Sequence, residues 1–152
     1  MRRRYLLSLV ALGLVLFLVI SGLLARAFSA NGAEQSAITG LVKAEAAGNE
    51  AGMIARINGC AHSTACRARV AHNATALKHT GSVSVLELSP STSFSLGGAT
   101  GTARVAWRAG SSLPVVQCVR VRRYGNVISG LHVQLLEISV RIKTNRDCPA
   151  RY

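Results

Sequence analysis

The sequence predicts an α+β protein in which an N-terminal transmembrane helix precedes about three helices packed on a curved four-stranded antiparallel β-sheet. Three observations lead to this prediction: an uncharged apolar run over residues 5–25, helical spacing of apolar residues over about 31–78, and two-residue alternation over about 82–143. We expect residues 1–30 to form a signal-anchor segment and residues 31–152 to form a single folded domain.

The apolar run is long enough to cross a bilayer. As a helix rising about 1.5 Å per residue it would reach roughly 30 Å, the thickness of the hydrocarbon core. Arginines occupy positions 2–4, and only Arg26 follows the run closely. The positive-inside rule therefore predicts a cytoplasmic N-terminus, a single span in the cell membrane, and a domain outside the cytoplasm. The alternative is a signal peptide cleaved near Ala27, because Ala25-Arg26-Ala27 is a small-x-small site, and cleavage would yield a secreted protein.

The formal net charge is +12, and removing residues 1–27 takes away four arginines and no acidic residue, which leaves +8. A domain this basic is attracted to anionic lipid headgroups, acidic wall polymers or nucleic acid, and the alternative is that the charge only aids solubility. We do not expect nucleic acid as a partner, because the domain is predicted to lie outside the cytoplasm and aromatic residues are few.

The four cysteines all lie in the predicted exported domain: Cys60, Cys66, Cys118 and Cys148. An even number in an oxidising compartment predicts two disulfides, with three connectivities open. Six residues of continuous helix span about 9 Å, which exceeds the roughly 7 Å that a disulfide allows between Cα atoms. A Cys60–Cys66 bond therefore requires a bend, for which Asn58-Gly59 and an N-cap at Ser63 provide the means, and Cys118–Cys148 would then join a strand to the tail.

A zinc site is the alternative use of the first two cysteines. Its candidate ligands are close in sequence: Cys60, His62, Cys66 and His72. Their spacing matches no standard zinc pattern, and an oxidising compartment disfavours thiolates, so we expect no metal.

Three helices are predicted between the membrane segment and the sheet. Asn31-Gly-Ala-Glu34 has the form of a capping box that opens the first helix, and Gly48 should end it. The apolar stripe of this helix consists of residues at helical spacing: Ile38, Leu41 and Val42, with Glu45 following at the same spacing. Asn49 caps a short second helix, and a third runs from about Ser63 to Lys78.

Four strands are predicted over about residues 82–88, 101–108, 115–123 and 127–143, with a short extended piece over 92–96. Gly125-Asn126 has the composition of a two-residue hairpin turn, which would place Tyr124 opposite Val127 and Gln117 opposite Gln134. The preceding hairpin would place Val105 opposite Gln117 and Trp107 opposite Val115. The tail from Thr144 is polar.

Strand alternation then assigns the polar side chains to two faces of the sheet. The face expected under the helices contains four pocket candidates: Trp107, Gln117, His132 and Gln134. They either line a small-ligand pocket or satisfy one another as buried polar groups. The opposite, basic face is expected to contain six cationic residues: Arg104, Arg108, Arg120, Arg122, Arg141 and Lys143.

The order of elements from about Asn31 to Lys143 resembles the nuclear transport factor two-like, or cystatin-like, fold of the membrane-anchored bacterial type. The first helix adds to the resemblance, because Ile38-Thr-Gly-Leu-Val-Lys-Ala-Glu-Ala-Ala-Gly-Asn49 ends in a Gly-Asn break before a short second helix. The resemblance implies a cone whose open end binds a ligand or, in a minority of members, does chemistry. For membrane-anchored members it implies contacts within export and secretion assemblies.

Catalysis is not expected. Enzymatic members of this fold pair a histidine with an acidic residue in the cone, but Glu137 is predicted on the face opposite His132, and Glu87 reaches His132 only if the first strand packs with the right phase. The sequence contains no GxSxG, HExxH or phosphate-binding loop motif. We therefore expect neither enzyme activity nor a cofactor.

The leading functional hypothesis is a membrane-tethered, extracytoplasmic, non-enzymatic binding or assembly module with an envelope protein or a second copy of the chain as partner. Three alternatives remain: a small apolar-ligand binder using the cone, a binder of acidic polymers through the basic face, and a pilin-like envelope subunit. A long apolar N-terminal helix followed by a sheet with a C-terminal disulfide is typical of pilins, but the expected processing-site glycine is not recognisable here.

Overall fold

The computed structural model describes residues 2–90, 99–126, 130–143 and Cys148. The helical segments in this part of the chain are α1 (Arg2–Ala46), α2 (Glu50–Arg56), a 3₁₀ helix (Cys60–His62) and α3 (Thr64–Ala76). The strands are β1 (Val83–Ser89), β2 (Ala99–Ala109), β3 (Val115–Asn126) and β4 (Gly130–Ile138). The predicted α+β class, with helices before an antiparallel sheet, is confirmed. The predicted extended piece over 92–96 and the tail from Thr144, apart from Cys148, lie outside the described residues.

Helix α1 is continuous over 45 residues, so the predicted helix start at Asn31 was wrong. A capping box satisfies backbone amides at the first turn of a helix, and here the residues before Asn31 already supply helical partners. The Glu34 side chain is instead buried and accepts a hydrogen bond from Arg123 Nε across the core at 2.6 Å.

Among the residues that the structure describes, no helix combines the length and the apolar character needed to cross a membrane. The N-terminal transmembrane helix therefore stays a prediction from the sequence.

The predicted end of the first helix and start of the second are confirmed. Gly48 has φ +68°, its amide donates to Glu45 O at 2.9 Å, and the amide of Asn49 donates to Ala44 O at 2.9 Å. This pair of hydrogen bonds is the Schellman motif. The motif favours glycine at position 48 because the residue there must adopt a positive φ. The side chain of Asn49 then accepts from the amide of Gly52 at 2.8 Å and begins α2.

The predicted bend between the first two cysteines is also confirmed. Gly59 has φ +76°, and Ser63 is extended and accepts from the amide of Cys66 at 3.3 Å, which starts α3. This bend brings the Cα atoms of Cys60 and Cys66 within 5.3 Å, and a disulfide joins the two residues.

The four strands form one antiparallel meander in the order β1-β2-β3-β4. The register of β2 against β3 is the predicted one, with Val105 opposite Gln117 and Trp107 opposite Val115. Alternating apolar residues on both strands specify this register, because a slip of one residue would move every core side chain to the outer face.

The predicted register of β3 against β4 was wrong. Gly125 and Asn126 belong to β3, Asn126 lies opposite Gly130, and Tyr124 lies opposite His132, five residues beyond its predicted partner. Because five is odd, the side chains at this end of β4 exchange faces. The exchange buries Leu135 instead of Gln134, which is the hydrophobic gain that decides the register.

A β-bulge between Arg120 and Val121 then restores the original phase, so that Ile138 is buried on the core face as predicted. Strand β4 ends at Ile138, earlier than expected. Beyond it, the amides of Ser139 and Ile142 still donate to β3, at Cys118 O and Val116 O, each at 2.8 Å.

The core lies between the helices and one face of the sheet. Its largest fully buried apolar side chains come from α1, α2, β2 and the last strand: Ile38, Leu41, Met53, Trp107 and Ile138. The other face of the sheet, called here the outer face, carries the alternate side chains of each strand.

Candidate functional site

Three buried polar side chains form a hydrogen-bonded chain that joins β2, β3 and α1. Trp107 Nε1 donates to Gln117 Oε1 at 2.8 Å, and Gln117 Nε2 donates to Glu45 Oε1 at 2.8 Å and to Ser139 O at 3.0 Å. Trp107, Gln117 and Glu45 all have 0% exposure. Two of the four pocket candidates, Trp107 and Gln117, are therefore hydrogen-bonded to each other with no exposed surface.

Glu45 is the chemically unusual member of this chain. Burial raises the pKa of its carboxyl group from 4.5 to about 7, and the neighbouring amides of Gln117 and Asn73 oppose this rise. The sequence contained a signal for this placement, because Glu45 follows Leu41 by four residues and Ile38 by seven on the apolar stripe of α1. Glu45 was nevertheless not among the predicted site residues.

Asn73 of α3 lies beside Glu45 and donates its Nδ2 to Ser139 O at 2.9 Å. With that nitrogen engaged, Asn73 Oδ1 and Glu45 Oε2 are two buried acceptors that no hydrogen-bond donor reaches among the described residues. A neutral carboxyl group carries one O–H donor, whereas a carboxylate carries none. The geometry around Glu45 thus favours its protonated form.

The other two pocket candidates, His132 and Gln134, lie on the outer face rather than under the helices, which corrects the prediction. His132 is exposed and stacks on Tyr124 with ring centroids 5.4 Å apart and an interplanar angle of 28°. Gln134 lies opposite Arg122, and it also lines a groove between α1, α2 and β4. The structure therefore separates His132 and Gln134 from the buried Trp107–Gln117 pair.

The acidic residues considered as partners of His132 are distant from it. Glu87 lies on β1 and His132 on β4, the two opposite edges of the sheet, which are separated by three strand spacings or roughly 14 Å. Glu137, predicted on the face opposite His132, shares the outer face with it. However, Glu137 lies opposite Arg120, whereas His132 lies opposite Tyr124. Arg120 and Tyr124 are four residues apart in β3, so the two side chains are separated by roughly 14 Å along the strands.

An open groove of about 460 Å³ lies between α1, α2 and β4. Its walls include Ser36 and Gly40 from α1, Arg56 from α2, and Val133 and Leu135 from β4. A Cβ atom at Gly40 would lie 3.3 Å from Arg56 Nε, so glycine at this position leaves room for the arginine side chain. The groove combines an apolar wall with one cation.

Four of the six predicted basic-face residues share the outer face, two on β2 and two on β3: Arg104, Arg108, Arg120 and Arg122. Arg108 and Arg122 are exposed, and Arg120 Nη1 lies 3.6 Å from Glu137 Oε2. Salt bridges this exposed contribute little stability. The outer face is therefore positively charged.

The remaining two basic residues follow β4. Arg141 donates its Nη2 to Pro114 O at 3.1 Å, beside the start of β3, and Lys143 is exposed.

The second disulfide lies on the outer face. Cys118 is fully buried, and its Cα atom is 5.7 Å from that of Cys148, to which it is bonded. The predicted attachment of the tail to the third strand is confirmed. Since Cys60 and Cys66 are also bonded to each other, neither is a thiolate ligand for zinc, and the described residues contain no group of three or more metal-ligating side chains.

Among the described residues, two surfaces that a partner could reach are the groove beside α2 and the outer face of the sheet. Comparisons with protein-family models, with curated proteins and with solved structures found no match. The chemistry that these two surfaces offer is hydrophobic contact in the groove and anion binding on the arginine-bearing face.

Proposed function

We propose that this chain is a membrane-tethered, extracytoplasmic, non-enzymatic binding or assembly module. The observation that carries this proposal is the asymmetry of the sheet. One face is covered by helices over buried side chains, whereas the other presents Arg108 and Arg122 to solvent. A domain built in this way binds partners through its surface.

The tether is supported by the N-terminal part of α1. The apolar run from Tyr5 to Ala25 follows three arginines. The large apolar side chains between Val10 and Leu23 are exposed rather than covered by the rest of the domain. Val10 is 69% exposed and Leu23 is 63% exposed. An apolar surface of this kind is satisfied by lipid or by a protein partner. Since α1 is continuous to Ala46, the same helix would link the membrane to the domain.

The hydrogen bonds of the buried Trp107–Gln117 pair support surface binding over a ligand held by these two residues. Trp107 and Gln117 are 0% exposed, and their polar atoms are bonded to each other and to Glu45. A small molecule would have to break these bonds to enter, which leaves buried polar groups unsatisfied. We retain the nuclear transport factor two-like fold as part of the proposal because the helices cover only one face of the meander.

The proposal is tested by fractionating cells that express the full chain and by treating intact cells with protease. We expect the chain in the membrane fraction, with its domain cleaved from outside, and an intact mass that includes residues 1–27 and two disulfides. A product cut near Ala27, or a domain protected inside the cell, would contradict the tether. Cross-linking that finds only a monomer and no envelope protein would contradict the assembly role.

A second candidate function is binding of a small apolar anion in the groove beside α2. It is favoured by the apolar wall at Val133 and Leu135 next to Arg56. A fatty acid titrated into the protein should shift the NMR signals of these residues. The exposed Ala55 lines the groove, so Ala55→Trp should abolish the shifts, whereas Ala68→Trp, at an exposed site of α3 that does not line the groove, is the matched control. Equal shifts in both variants would exclude the groove.

A further inference from the structure

Two contacts determine the direction of α1 relative to β3. Near the C-terminal end of α1, Glu45 accepts a hydrogen bond from Gln117. Glu34, which lies eleven residues earlier in α1, accepts one from Arg123, which lies six residues after Gln117 in β3. Eleven helical residues span roughly 16 Å, and six strand residues span roughly 20 Å. The two lengths are comparable, so α1 runs antiparallel to β3.

The N-terminal part of α1 therefore leaves the domain at the end of the sheet where β3 passes into β4. From Glu34 back to Ala25, the last residue of the apolar run, the helix covers roughly 14 Å. From Arg123 forward to Asn126, β3 covers roughly 10 Å in the same direction. If α1 crosses the membrane, this end of the sheet lies within a few ångströms of the lipid surface.

The outer-face residues nearest this end form what we call the hairpin-end surface: Arg122, Tyr124 and His132. Tyr124 lies directly opposite His132 and stacks on it, and Arg122 lies in the adjacent row, exposed. Aromatic rings with polar tips are typical of membrane interfaces, and arginine forms paired hydrogen bonds with phosphate.

The charge of this end of the domain also favours an anionic partner. Glu34 has no exposed surface and is paired with Arg123, so it does not offset the surface arginines. The acidic residue nearest in register is Glu137, which lies opposite Arg120.

Building on the proposed tether, we propose that the hairpin-end surface docks on the outer leaflet of the membrane that holds α1 and binds anionic phospholipid headgroups. The docked domain would stand on its helix with the Tyr124–His132 end of the sheet nearest the headgroups, the long Arg122 side chain extended toward them, and the β2–β3 turn pointing away. Each basic residue near an anionic leaflet contributes a roughly fivefold increase in the docked population.

Arg108 provides a matched control. It is exposed on the same outer face, at the other end of the sheet. Its neighbour Trp107 lies opposite Val115, and Val115 is seven strand residues, or roughly 24 Å, from Arg122. Arg108→Gln and Arg122→Gln therefore remove the same charge from opposite ends of one surface.

The test uses the full chain in lipid nanodiscs that contain a gadolinium-bearing lipid. Discs of phosphatidylcholine alone are compared with discs that also contain phosphatidylglycerol. We expect the amides of residues 122–126 and 132–134 to be relaxed more strongly than those of 107–115, and more strongly in the anionic discs. Arg122→Gln should lower the docked-to-undocked ratio roughly fivefold in anionic discs, and Arg108→Gln should leave it unchanged.

Docking would be overturned by equal relaxation at both ends of the sheet, by equal relaxation in neutral and anionic discs, or by equal effects of the two variants. A saturable response to free glycerol phosphate would also overturn it, because the ligand would then be a soluble phosphate. Flotation of the discs before the measurement separates this failure from failure of the tether. A chain that does not float with the discs lacks the tether, whereas one that floats and is relaxed equally in neutral and anionic discs is tethered but not docked.

Discussion

Gln117 donates a hydrogen bond of 2.8 Å to Glu45 across the core, between residues 72 positions apart in the chain. The bond connects the C-terminal end of α1 to the third residue of β3 at a point with no exposed surface. It places a carboxyl group among amides and an indole, with Asn73 on α3, Gln117 on β3 and Trp107 on β2 as its polar surroundings. The protonation of Glu45 is therefore coupled to the stability of the fold.

The unfolding free energy should fall as pH rises. The pKa of Glu45 is raised from 4.5 to about 7, so the folded state holds this proton more tightly than the unfolded state does. The stabilisation is complete below about pH 4.5 and is lost as pH rises through about 7; the difference between the two pKa values corresponds to about 3 kcal/mol. Urea unfolding at a series of pH values measures it.

Glu45→Gln is the control for this pH dependence, because glutamine keeps the shape and does not ionise. We expect the variant to lose the decline between about pH 4.5 and about pH 8 and to be at least as stable as the wild type at the upper end. An unchanged decline in the variant would assign it to other groups.

Trp107 should report the ionisation of Glu45 directly. It is the single tryptophan of the chain, and its Nε1 is joined to Glu45 through the amide of Gln117. Charging Glu45 changes the polarisation of this bonded chain, so the emission maximum should shift with a midpoint near pH 7. Fluorescence titration of the folded protein checks this, and Glu45→Gln should show no such transition.

The buried pair between Glu34 and Arg123 should be sensitive to loss of one partner. Arg123→Gln leaves the Glu34 carboxylate without its charged partner at 0% exposure and should cost about 3–5 kcal/mol of unfolding free energy. Arg122→Gln, the exposed neighbour, should cost less than about 0.5 kcal/mol in the same urea titration. The double variant Glu34→Gln with Arg123→Gln should recover part of the loss, and strict additivity would contradict a direct coupling.

The two disulfides should differ in their contribution. Their sequence separations are 6 and 30 residues, for which loop closure predicts a stabilisation of about 2 kcal/mol for Cys60–Cys66 and about 4 kcal/mol for Cys118–Cys148. Paired Cys→Ser variants, compared by urea unfolding, measure both values. A larger loss for the Cys60–Cys66 pair would show that local structure around the 3₁₀ helix outweighs loop length.

Local signals predicted the helical half well, apart from its beginning. Gly48, Asn49 and Ser63 each act within a few residues of the backbone groups that they bond, so their roles can be inferred from neighbouring sequence alone. Asn31 has the same type of local signal, but the preceding residues are also helical, and the longer helix overrides the cap.

The two hairpins show the limit of such signals for the sheet. The β2–β3 register followed from the apolar alternation of both strands. The β3–β4 register was inferred from one dipeptide, Gly125-Asn126, and it failed because β4 has apolar residues at both parities. Only packing against the core decides that Leu135 is buried and Gln134 is not.

The sequence by itself determined the class of the fold, the helix ends near glycine and asparagine, the pairing of β2 with β3, and the separation of an apolar N-terminal run from a basic domain. These features depend on contacts between near neighbours or on strict alternation. The tertiary structure alone decided the partners of Glu34 and Glu45, the faces of His132 and Gln134, and the direction of α1 along β3. Those features depend on contacts between residues distant in the chain, for which a single sequence contains no periodic signal.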